Sequence, residues 1–97
     1  MAIGFRSQLT RTLNGRTVYL REYDTVKVVN LLHADRPYDG TERIRRPPKV
    51  GDVATVCHVY DPKDPTAVVA VEMVDSDGLT VWLADFERTE LELVRKP

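Results

Sequence analysis

Residues able to do covalent chemistry are few in this chain, and their spacing gathers none of them. Cys57 is the sole cysteine, His33 and His58 the sole histidines, and Ser7 and Ser76 the sole serines. No Gly-x-Ser-x-Gly elbow is present, and neither histidine has a neighbour that marks a nucleophilic triad. Cys57 and His58 are adjacent in a strand-forming run, so their side chains should leave on opposite faces and cannot act as nucleophile and base for each other. Cys57 reads as a small buried hydrophobe and His58 as a surface strand residue. One cysteine allows no internal disulfide and no thiolate zinc site, and the histidines and acids show no metal-ligand spacing. Asp75-x-Asp77-Gly78 has the opening of a calcium loop without the later ligands or the closing glutamate, and reads better as a hairpin turn. No glycine-rich phosphate cradle precedes a helix. The expectation is a protein with no catalytic set, no metal and no cofactor.

Residue types that bind are easier to find. Arg43, Arg45, Arg46 and Lys49 cluster near Tyr38 in a stretch that holds Pro37, Gly40, Pro47 and Pro48. Arginine can contact phosphates or stack on bases, so this cluster admits a nucleic-acid-binding reading of loop 36–49. Asp35, Asp39 and Glu42 dilute it, and a sequence pI near 6.1 is low for a nucleic-acid domain. Charge is divided along the chain. Residues 1–49 hold ten Lys/Arg against five Asp/Glu, and residues 50–97 hold four against ten, giving +5 and −6. Two outcomes follow from that division: a dipolar surface for a charged partner, or charges that mix across the surface because both halves interleave in one barrel. The alternative to nucleic-acid binding is that the loop arginines pair with the acidic half and pin the loop down. Trp82 is the only tryptophan. Alternation in its segment puts Leu79, Val81 and Leu83 on the core face and Trp82 opposite, either exposed as a partner anchor or covered by the long loop or the N-terminal segment.

The elements that must position these residues are short. Phe5, Leu9 and Leu13 suit a helix face capped by Asn14-Gly15, but segments 9–13 and 16–20 also flank Asn-Gly as strands flank a type I′ turn, and their Thr, Val and Tyr content favours the hairpin. Tyr23 to Leu32 reads as a strand with Val26 and Val28 on one face. His33 to Lys49 reads as a long loop. Val50 to Tyr60 reads as a strand whose apolar residues fall at 50, 53, 56 and 59, so alternation slips near Ala54-Thr55, as at a bulge. Asp61-Pro62-Lys63-Asp64-Pro65 is a rigid turn. Ala67 to Val74 is a strand with Val69, Val71 and Met73 on one face. Asp75 to Gly78 is a tight hairpin turn, Leu79 to Ala84 the returning strand, Phe86 to Glu90 a helical turn, and Leu91 to Val94 the last strand.

Five short strands, a long first loop, a tight hairpin and a helical turn before the last strand describe an all-β, SH3-like barrel over residues 21–97, preceded by an N-terminal extension over 1–20. Tyr23-Asp24-Thr25-Val26, Gly51-Asp52-Val53-Ala54-Thr55-Val56 with Val59, and Val71-Glu72-Met73-Val74-Asp75-Ser76-Asp77-Gly78-Leu79-Thr80 carry a resemblance to a group of small bacterial SH3-like domains of unknown function. Ala54 stands where that pattern has Gly. The Pro-rich approach to the Gly51 turn and the Val81-Trp82-Leu83 strand are also faintly similar to the barrel of the nitrile hydratase β chain. The resemblance implies a fold and is almost silent on function. No apolar run approaches the roughly 18 residues that span a bilayer, residues 1–6 do not open a secretory signal, and a lone cysteine suits a reducing cytoplasm. The functional expectation is a non-enzymatic protein-binding module, an immunity- or antitoxin-type protein or an accessory subunit, monomeric or weakly dimeric, that meets its partner with Trp82, Tyr38, Arg43, Arg45 and Arg46.

Overall fold

The computed structural model describes residues 11–13, 16–18, 20–64 and 66–96. Its architecture is all-β. The strands are β1 Arg11–Leu13, β2 Arg16–Val18, β3 Thr25–Val28, β4 Val53–Val59, β5 Val69–Val74, β6 Thr80–Phe86 and β7 Leu91–Arg95, with one 3₁₀ turn at Arg88–Glu90. β1 and β2 pair as an antiparallel hairpin in the register Arg11↔Val18 and Leu13↔Arg16, as the hairpin reading expects. Leu13, which the helical alternative places on its apolar face, lies in β1; Phe5, Leu9 and the turn at 14–15 lie outside the described residues. The other five strands form one antiparallel sheet in the order β6-β5-β4-β3-β7. Its terminal strands β6 and β7 do not pair with each other, so the sheet is not closed into a barrel.

Alternation explains most of the core. Val26 and Val28 of β3, Ala54 and Val56 of β4, Val69 and Val71 of β5, and Leu91 and Leu93 of β7 are all buried, and they form one cluster with Trp82, Ala84 and Phe86. Three bulges modify the pattern. The register runs Val56↔Val71 then His58↔Ala70, which leaves Cys57 as the extra residue. It runs Met73↔Trp82 then Val74↔Thr80, which leaves Val81 extra. It runs Val26↔Leu93 then Thr25↔Arg95, which leaves Val94 extra. Each bulge adds local twist and bends its strand.

These bulges correct two sequence expectations. The slip in β4 falls at Cys57, not at Ala54-Thr55, so Val56 and Val59 are buried while Val50 and Val53 are exposed. In β6 the extra residue at Val81 reverses the faces: Trp82, Ala84 and Phe86 enter the core, and Leu79 is exposed. Val81 is buried as well.

An open sheet leaves an edge of unpaired peptide groups on β6, and the first loop covers it. Asp39 and Leu83 exchange both backbone hydrogen bonds (3.0 and 2.8 Å), the Thr41 N–H donates to Thr80 O at 2.8 Å, and the Arg46 N–H donates to Val81 O at 3.3 Å. The stem of the loop is pinched where the Gly51 N–H donates to Val28 O and the Val28 N–H donates to Asp52 O, both at 2.8 Å. Gly51 sits at φ +100, a region that favours glycine. Gly40 is needed for closeness rather than for φ: a Cβ there would lie 2.5 Å from Val81 O and 2.6 Å from the Arg45 Cβ. Gly40→Ala should therefore lower stability by about 1–3 kcal/mol, read from the urea midpoint, because backbone must move to admit the methyl group. An unchanged midpoint would show that the strap along β6 does not contribute to folding.

Candidate functional site

Two carboxylates fasten the first loop to the sheet. Glu90 is fully buried at the end of the 3₁₀ turn. The Arg36 Nη2 donates to both its oxygens, at 2.7 and 2.5 Å. The Leu32 N–H donates to it at 2.8 Å and the Glu87 N–H at 2.9 Å. Arg36 is itself almost wholly covered, and its guanidinium lies 4.1 Å over the Phe86 ring. A buried charge is tolerated only when paired and hydrogen-bonded, and Glu90 satisfies both conditions. His33 adds a contact to Glu87 on the outside of the same turn.

The second carboxylate is Asp52, at the foot of β4. Arg46 grips it with two nitrogens, at 2.9 and 3.0 Å. The Lys49 N–H donates to it at 2.9 Å, and so does the Trp82 indole N–H. Burial alone would push the Asp52 carboxyl up, but Arg46 together with the Lys49 and Trp82 donors outweighs it and holds the group below the ordinary aspartate range. Arg46 is raised in turn, chiefly by its hydrogen bond to Asp52.

Residues 32–39, the first part of the loop, border an open groove of about 950 Å³ against the sheet. Leu32, Pro37 and Tyr38 line it on the loop side. Val68, Leu83 and Tyr60 line it on the sheet side. Asp35, Asp39, Asp85 and Glu87 also line it. The Tyr60 hydroxyl donates to Asp85 Oδ1 at 2.6 Å, and that hydrogen bond is the main cause that raises the phenol above its ordinary pKa.

The expected binding residues therefore separate. Trp82 is fully buried, so it is removed from the surface: its ring packs on Phe86 with centroids 5.3 Å apart and its N–H is spent on Asp52. Arg46 meets it there as a loop fastener. Tyr38 lies half-buried in the groove. Arg43 and Arg45 are exposed on the turn at 41–45, outside the groove. Arg36, Tyr60, Asp52 and Glu90 were not singled out from sequence. Only Tyr60 carried a local signal, an aromatic where a strand meets an Asp-Pro turn.

Cys57 is not activated by its surroundings. Burial pushes the Cys57 thiol up, and the nearby Glu72 charge adds to it, so the thiolate is disfavoured. His58 faces Glu22 and the Tyr60 ring instead of Cys57. Among the described residues no group of three or more His, Cys, Asp or Glu is arranged to hold a metal ion. Among the described residues no helix is long and apolar enough to cross a membrane.

Two measurements check the fastenings. Arg36→Met strands a buried carboxylate and should cost about 3–5 kcal/mol, while Arg36→Met with Glu90→Leu should recover most of that loss in a double-mutant cycle of urea midpoints. Because the Asp52 pKa is depressed in the folded state, its contribution is complete above the unfolded value of about 3.9 and is lost as pH falls through the lower folded value. Asp52→Asn should thus be less stable than wild type at neutral pH, and the gap should narrow as acid titration proceeds below pH about 4. A pH-independent gap would contradict the charge-based account. No protein-family model, no curated protein and no solved structure matches this chain.

Proposed function

We propose that the protein is a non-enzymatic protein-binding module, and that a partner docks in the groove between the first loop and the β5–β6 face. The observation that carries this reading is a concave site of ligand-pocket size with two tyrosines and an apolar floor, held by a buried ion pair rather than left to a mobile loop. Tyrosine supplies large contact area at little entropic cost, and a groove that is already shaped reduces what ordering on binding costs. The SH3-like assignment belongs to the same reading. It is supported by five antiparallel strands, a long loop after the first of them and a 3₁₀ turn before the last. An immunity-type or accessory protein that docks on an enzyme would use the same surface.

The nucleic-acid reading loses one of its three arginines, because Arg46 is committed to Asp52. It keeps Arg43, Arg45 and Lys49, all exposed, with acidic groups along the neighbouring groove.

The two readings separate by variant. A native partner captured by wild type should be lost with Tyr38→Ala/Tyr60→Ala and kept with Arg43→Ala/Arg45→Ala, each variant first shown to be folded by circular dichroism. Loss with the arginine pair alone, together with salt-sensitive binding of single-stranded RNA or DNA, would replace the protein-docking reading with the other.

A further inference from the structure

The groove has an uneven charge ledger. Four carboxylates line it, from Asp35, Asp39, Asp85 and Glu87, against the cationic or titratable groups of Arg36 and His33. Both of those are already engaged: Arg36 is bound to buried Glu90, and His33 is in contact with Glu87. Asp35 and Asp39 are exposed and have no cationic partner among the described residues. Asp85 accepts the Tyr60 hydroxyl, a neutral donor that leaves its charge in place. Three carboxylates thus face one concavity without compensation, beside the rings of Tyr38 and Tyr60.

Resting on the docking reading above, we propose that the occupant of this groove is a peptide segment of the partner protein that carries Lys or Arg side chains. Carboxylates attract cations in a concave site more strongly than on an open surface, because low-dielectric walls focus the field. Tyrosine faces add cation–π attraction to the same side chains, and long basic side chains can lay their methylene stems on the apolar floor formed by Leu32, Val68 and Leu83. An acidic or phosphorylated segment would meet the like charge of three carboxylates, which costs affinity. The arginines of the 41–45 turn do not line the groove.

The test is selection followed by mapping. The full chain is panned against a random-peptide phage library, and the recovered peptides are synthesised and titrated by NMR. Basic peptides should be enriched, should shift the amides of 35–39, Tyr60 and Asp85, and should bind about three- to tenfold more weakly to Asp35→Asn/Asp39→Asn. Glu92→Gln, an exposed position of β7 outside the groove lining, should bind as wild type does. Neutral or acidic peptides that map to the groove would overturn the cationic occupant while leaving the docking site intact. Peptides that map elsewhere, or no enrichment at all, would overturn both.

Discussion

Glu90 is the constraint on which the site depends. It lies at the junction of the 3₁₀ turn and β7, with no exposure to solvent, and its oxygens are shared among a guanidinium and two backbone amides. A carboxylate so placed cannot be left unpaired, so the chain must bring Arg36 to it across 54 residues. That requirement fixes where residues 32–36 run, and so where one wall of the groove stands. The wall is specified by electrostatics, while the floor beneath it is specified by packing.

Asp52 plays the matching part at the other end of the loop. It draws a loop arginine, a loop amide and the core indole to one point. The indole bond is informative, because it gives the largest core side chain a single orientation in contact with the loop stem. Core and loop are therefore coupled: Trp82 cannot reorient without releasing Asp52, and Asp52 cannot move without freeing Arg46.

Sequence carried the local parts of this arrangement. The Val26/Val28 pair is a strict alternation with a buried face and is buried, and Val69 and Val71 are buried as their segment expects. The Asp75–Gly78 turn needs a residue at positive φ and has Gly78 at φ +80. What sequence did not carry was non-local. A bulge is a property of the ladder between two strands, so the extra residues at Cys57 and Val81 cannot be placed from one strand alone, and the misplaced Trp82 face followed from that. The pairing of Arg36 with Glu90 was invisible for the same reason. The division of charge between the halves did foreshadow it, since Arg36 and Arg46 both reach acids of the second half.

The strap of residues 39–46 along β6 has a further meaning for how this small fold survives in company. A sheet that does not close on itself keeps margins able to recruit strands from other molecules. By lending its own amides and carbonyls to Thr80, Val81 and Leu83, the first loop occupies that stretch of the margin without circular closure. The chain that continues from the wall of the groove thereby takes up strand edge that a second molecule could otherwise pair with.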